Sequence, residues 1–269
     1  MVTRDNEIFF NSSCDIVVYS LVFASIMNKT FVVTGAGRGI GRAVLEEAAR
    51  SKECGCVVGI CRPNSPQLAE LRSMFKDNAK VHLFEADVGD FAMMENVVKE
   101  LERRKIVPDL VLANAGTLTP RKPIWEASSE ELERAFKVDV MGTFNTMKAF
   151  IPMMREKEGA VIANVSGDWG LCDNYGCGTF CMAKFAIEGL VKAAACDVER
   201  DKLSIVTVSQ GSVVTDLLIE AMGGESEANK VGTSIEDFTP QFFNKLWSVS
   251  KSQSGQHMDF GVKKAVRAG

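Results

Sequence analysis

Thr34-Gly35-Ala36-Gly37-Arg38-Gly39-Ile40-Gly41 joins a β-branched run, Thr30–Thr34, to an amphipathic segment, Ile40–Ser51. Glycines at the first, fifth and seventh positions of Gly35–Gly41 permit a tight turn and a close backbone approach to an anion. They also let the following helix pack tightly against the strand. A helix that starts there offers free N–H groups and the positive end of its dipole, which suits a pyrophosphate. The spacing differs from the G-x-G-x-x-G of other dinucleotide-binding turns. A tight connection without a ligand is the plain alternative, and a strand before with a helix after favours binding.

Outward from this loop, short apolar runs alternate with helix-length segments. The runs are Thr30–Thr34, Cys56–Ile60, Val81–Phe84, Leu110–Ala113, Ala160–Val165 and Leu203–Val208. They are rich in branched residues and do not alternate with polar ones, as strands buried on both faces of a parallel sheet require. Between them Ile40–Ser51, Pro66–Phe75, Phe91–Arg104, Glu130–Met154 and Phe180–Glu199 carry apolar residues at helical spacing. The pattern predicts an α/β fold: one doubly wound parallel sheet of Rossmann type, with helices on both faces in three layers. One domain over 27–269 is expected. After Thr215 the pattern loosens through Gly223-Gly224-Glu225-Ser226, which reads as a mobile flap before a last helix near Pro240–Val249.

The bulk numbers exclude several classes. A net charge of −4 supplies no basic field for a nucleic-acid backbone. Eight cysteines fall in no metal-binding spacing and read as reduced thiols of a cytoplasmic or organellar protein. With His82 and His257 the only histidines, imidazole catalysis and histidine-based metal sites have little material. Residues 1–26 read as an extension outside the fold, either disordered or preceding a working start at Met27, with a weak anchor as the alternative. Ile16–Met27 is only about twelve residues long, too short to span a bilayer.

Two further turns add to the glycine loop. Asp87-Val88 follows the third run and Asn114-Ala115-Gly116 the fourth. In this order the motifs resemble the short-chain dehydrogenase/reductase family, over roughly residues 29 to 215. Asn114–Thr117, Ile124-Trp125-Glu126, Ser166–Gly170 and Ala186–Leu190 look most like plant-type NADPH-dependent pterin aldehyde reductases within it. The resemblance implies a nicotinamide cofactor held by Gly35, Arg38, Gly39, Ile40, Gly41, Asp87, Val88, Asn114, Ala115, Gly116, Lys184 and Thr215. An acidic residue ending the second strand would bind the ribose of NAD and repel a 2′-phosphate. Here Cys61 stands at that place, followed by Arg62, with Arg38 in the loop. Two guanidiniums suit a phosphate monoester, so NADP(H) is expected. Two ordinary surface arginines are the alternative.

The same resemblance implies a carbonyl substrate, a tyrosine acid, a lysine four residues on, a serine on the carbonyl oxygen and a supporting asparagine. The lysine is Lys184. Phe180 stands at the tyrosine position, Gly167 at the serine position thirteen residues earlier, and Asp139 at the asparagine position. The Pro-Gly of the family reads Gln210-Gly211. Loss of a general acid costs about 10²–10⁴ in rate, and loss of an oxyanion donor about 10²–10³, the two not multiplying. Ser166 should face away from the site, because neighbours on a strand point oppositely. Asp168, Asp173 and Tyr175 are the candidates for a substitute acid, and Asp139 could simply pair with Lys184. Two functions follow: an NADP(H)-binding pseudoenzyme with a structural, sensing or partner-binding role, or an active NADPH-dependent carbonyl or pterin aldehyde reductase using a substitute acid. The resemblance further implies a homodimer or homotetramer through Glu130–Met154 and Phe180–Glu199, or a place in a larger assembly.

Overall fold

The computed structural model describes residues 28–118, 121–167, 176–199 and 202–262, together with two short strands, Thr3–Arg4 and Glu7–Ile8, paired antiparallel. The expectation for 1–26 otherwise lies outside the described residues. Seven strands build the main sheet: β1 (Lys29–Thr34), β2 (Cys54–Cys61), β3 (Val81–Glu85), β4 (Leu110–Ala113), β5 (Ala160–Val165), β6 (Leu203–Ser209) and β7 (His257–Asp259). All pair in parallel, in the order β3-β2-β1-β4-β5-β6-β7. This is the doubly wound α/β architecture that the alternating runs predict.

Buried side chains follow the period of the strand. Along β1, Phe31 and Val33 join one apolar cluster with Val44 and Leu45 of α1 (Gly39–Arg50) and Phe238 and Phe242 of α9 (Ile235–Trp247). Val32 points into a second cluster on the opposite face. There it meets Met94 of α3 (Phe91–Arg103), Phe150 of α5 (Gly142–Met154) and Ile187 of α6 (Gly178–Ala194). Burial on both faces explains why β1, β4, β5 and β6 read as unbroken apolar runs.

Local chemistry starts the helices where it should. Ser65 caps α2 (Pro66–Met74), accepting from the Leu68 N–H, and Pro66 occupies the first turn where no N–H is needed. Asp90 caps α3, and Ser128 with Glu131 forms a reciprocal capping box on α4 (Ser129–Ala135). The segment read as one helix, Glu130–Met154, is α4 and α5 joined by a π-helical stretch, Phe136–Met141. That widened turn carries Asp139. Such turns recur at functional sites because they re-aim a side chain.

Two expectations need correction, and one strand was not foreseen. The flap after Thr215 is helical: α7 (Asp216–Met222) and α8 (Glu225–Val231) flank Gly223 and Gly224. Gly223 (φ +75°) closes α7 in the left-handed conformation. Thus the glycine pair separates two short helices. The last helix begins at Ile235, five residues before Pro240, because Ser234 caps it by accepting from the Asp237 N–H. Finally, β7 was not foreseen: three residues with one polar and one acidic side chain carry no apolar run. Among the described residues, no helix is long and apolar enough to cross a membrane.

Candidate active site

The strand order reverses between β1 and β4, with β2 on one side of the break and β5 on the other. A crevice opens there at the carboxyl ends of the strands, where α/β sheets receive ligands. Thr34, at the end of β1, holds its floor together. Its hydroxyl oxygen accepts from the backbone N–H of Asn114 (3.0 Å) and of Ala115 (3.1 Å), and its carbonyl accepts from Asn114 Nδ2 (3.0 Å). This ties Asn114-Ala115-Gly116 against the glycine loop. Space is the reason for two of the glycines. A Cβ on Gly35 would lie 2.9 Å from Ala115 Cα, and one on Gly41 would overlap the Gly35 carbonyl and sit 2.5 Å from Asn114 Nδ2.

Every cofactor and catalytic position named from the sequence that lies within the described residues lines one cavity of about 340 Å³. On its β2 side lie the loop Gly35–Gly41, Arg62, Asp87 and Val88. Arg38 and Arg62 are exposed, and neither has an ion-pair partner among the described residues. Cys61 beneath them is buried, and burial pushes its thiol up to about 11, so the end of β2 carries no anion near neutral pH. Asp87 accepts from the Gly89 N–H (2.9 Å) and pairs with Lys137 (3.3 Å). Asn145 Nδ2 donates to the Val88 carbonyl (2.8 Å), and Val88 packs where Gly142 leaves room.

The other end lies over β4, β5 and β6. Lys184, one helical turn after Phe180 on α6, donates to the Val165 carbonyl (3.2 Å) and to Asp139 Oδ1 (3.4 Å). Asp139 is 1% exposed, and its Oδ2 accepts from the Thr117 N–H (3.0 Å) and hydroxyl (2.7 Å). The Lys184 ammonium stands 5.2 Å from the centre of the Phe180 ring, which lines the cavity and has no proton to give. Gly167 also lines it, at φ +127° with open space where a side chain would go. The backbone there has a conformation that L side chains rarely adopt.

Ser166 turns away, as strand geometry requires. It is fully buried, and its hydroxyl has no hydrogen-bond partner among the described residues. Burial works to raise the Glu188 carboxyl, but hydrogen bonds from His257 and Thr207 prevail and hold it below the usual range. Glu188 Oε1 lies 2.8 Å from His257 Nδ1, and Oε2 accepts from the Thr207 hydroxyl (2.8 Å). This network anchors α6 to β6 and β7 one turn beyond Lys184. Thr215 faces the glycine loop across the crevice, but its hydroxyl is engaged as the cap of α7, bonded to Val213 O and Leu218 N (both 3.4 Å). Sequence reasoning missed Thr117, Asn145 and Gln67. Asp168, Asp173 and Tyr175, the candidate substitute acids, lie outside the described residues.

Residues 29–225 match the short chain dehydrogenase family, a span running from the start of β1 to the start of α8. The chain belongs to that family. It is 31% identical over 198 residues to the NADPH-dependent pterin aldehyde reductase of Arabidopsis thaliana, covering 74% of this chain and 80% of the relative. Its fold is that of the NADPH-bound carbonyl reductase from chicken fatty liver, with a TM-score of 0.75 at 20% identity over 86% of this chain and 96% of the other. It is equally similar (TM-score 0.75, 20% identity, 87% and 98% covered) to a tyrosine-to-phenylalanine variant of ElxO solved with NADPH bound. Within the short-chain dehydrogenase frame, Phe180, Gly167 and Asp139 stand at one end of the cavity and the glycine loop with its arginines at the other.

Proposed function

We propose that this short-chain dehydrogenase homologue binds NADP(H) in the crevice but no longer reduces carbonyls at an ordinary rate, its role being one of binding. The observation that carries this reading is the trio Phe180, Lys184 and Asp139. A hydrocarbon ring occupies the acid's position, and the lysine that would tune a phenol is tied to a carboxylate. The cofactor itself fits the residues present. The loop lacks a Cβ at Gly35, Gly39 and Gly41, where a pyrophosphate would meet the start of α1, and Arg38 and Arg62, without ion-pair partners among the described residues, would stand with an uncharged Cys61 at the place of the adenosine ribose. That arrangement favours a 2′-phosphate over a free hydroxyl. The reduced nicotinamide would supply a hydride there; among these residues Phe180 and Gly167 supply neither a proton nor a hydroxyl to the substrate oxygen.

Charge at the arginines sets the cofactor choice. Arg38→Ala and Arg62→Ala should each weaken NADPH binding by about tenfold or more, the value of a charge-assisted hydrogen bond. NADH binding should barely change, and calorimetric titration of both nucleotides reads the difference.

The relatives named as reductases keep a second reading alive, that of an active carbonyl or pterin aldehyde reductase with a substitute acid. NADPH oxidation over a panel of aldehydes and pterins separates the two. The wild-type protein should run at the buffer rate, and Phe180→Tyr should raise it by at least about tenfold, part of what a general acid contributes. Wild-type turnover that Phe180→Tyr does not improve would favour the second reading. Adding Gly167→Ser is a poor reversion, because φ +127° strains any side chain there. Free thiols on Cys54, Cys56, Cys61 and Cys177 suit a reducing compartment such as the cytoplasm. Phe144 on α5 and Phe185 on α6 are exposed and suit self-association through those helices.

A further inference from the structure

Asp139 does more than remove a family asparagine: it changes the charge of the nicotinamide end of the crevice. A dinucleotide whose adenosine lies over β2, beside Arg38 and Arg62, must place its other ring over β4, β5 and β6, where Asp139, Lys184 and Gln210 line the cavity. Its carboxylate cannot swing away, being held on one oxygen by both donors of Thr117 and on the other by Lys184. With a neutral residue at 139 this end would carry the uncompensated charge of Lys184. With Asp139 the buried pair sums to zero. Gln210 adds an amide oxygen that is buried without a hydrogen-bond donor. The remaining charged residues lining the cavity beyond the β2 side are Arg134 and Asp216, both exposed and opposite in sign.

The two redox forms of the cofactor differ in charge at this point. The oxidised nicotinamide ring is a cation, and the reduced ring is neutral. A lone ammonium repels the cationic ring, whereas a carboxylate beside it cancels that repulsion in a site with little water to screen it. We infer that Asp139 shifts the binding balance of the crevice toward NADP⁺, relative to a neutral residue at the same place. The inference rests on the NADP(H) reading and adds to it a direction: the carboxylate raises the affinity for the oxidised dinucleotide relative to the reduced one.

The test is a pair of calorimetric titrations, NADP⁺ and NADPH, on the wild-type chain and on Asp139→Asn. Asp139→Asn should shift the ratio of the two dissociation constants toward NADPH by about tenfold or more, from one unit charge at short range in a medium of intermediate dielectric. Should Asp139→Asn not fold, Asp139→Asn/Lys184→Met removes both charges: its ratio should match that of the wild type, whose pair also sums to zero, and a ratio displaced toward NADPH overturns the inference. An unchanged ratio in a folded Asp139→Asn overturns it as well. Failure of the wild type to bind either nucleotide would instead remove the NADP(H) reading, and this inference with it.

Discussion

Asp139→Ala will lower the unfolding free energy by about 3 kcal/mol, near the lower end of the cost of breaking a buried ion pair. The variant leaves Lys184, 5% exposed, with the Val165 carbonyl and the face of Phe180 as its neighbours, and strips Thr117 of its acceptor. An ammonium so placed is stranded. Removing both charges should therefore be milder than removing one: Asp139→Ala/Lys184→Met should recover most of the loss. Urea unfolding of the wild type, both single variants and the double variant forms the cycle that measures the coupling. Additive effects would mean that the 3.4 Å contact contributes nothing to stability.

Gly41→Ala will weaken NADP(H) binding by at least about 100-fold, the affinity equivalent of about 2.7 kcal/mol. The added methyl overlaps the Gly35 carbonyl, which is backbone, and crowds Asn114 Nδ2, which is pinned by its bond to the Thr34 carbonyl. Relief requires the loop to move off the Asn114–Gly116 turn, which breaks the bonds to Thr34 that hold both in place. The N–H groups at the start of α1 would then no longer face the pyrophosphate. Far-ultraviolet circular dichroism should show the fold retained while calorimetry shows the affinity lost. Full affinity in this variant would mean that the glycine loop is only a tight connection.

The sheet was legible because its central strands are buried on both faces, so Thr30–Thr34 and Ala160–Val165 are largely apolar and do not alternate. The site was legible for a different reason: its parts lie at the ends of those strands, at fixed offsets along the chain. What escaped the sequence is joined across long separations. Asn145 supports Val88 from 57 residues away, and Thr117 fixes Asp139 from 22. Neither contact leaves a local pattern. The edge strand His257–Asp259 gains its place from pairing with β6 rather than from its own composition. Gly223 and Gly224 read as a break with nothing to say that helices flank it.

Gly167 is the more instructive case. Counting residues identifies it as a missing serine, but its φ of +127° belongs to glycine. A serine there would be strained, so introducing one asks for a shift of the backbone as well as a new side chain. Phe180, by contrast, sits in the first turn of an ordinary helix one turn before Lys184, where a tyrosine would fit without strain. Reversibility therefore differs between the two positions. Asp139 lies between these cases: its substitution was visible in the sequence, while its pairing and its effect on charge depend on the π-helical turn that carries it.

If the crevice binds NADP(H) and Phe180 leaves the site without its acid, as proposed, a stopped-flow trace will show it. The wild-type protein is saturated with NADPH, the bound cofactor is followed by its fluorescence, and an aldehyde or pterin carbonyl is added. The fluorescence of the complex should hold steady, with NADPH bound and unoxidised. A decay to NADP⁺ at a rate above that of free NADPH would contradict the account and require a proton donor other than residue 180.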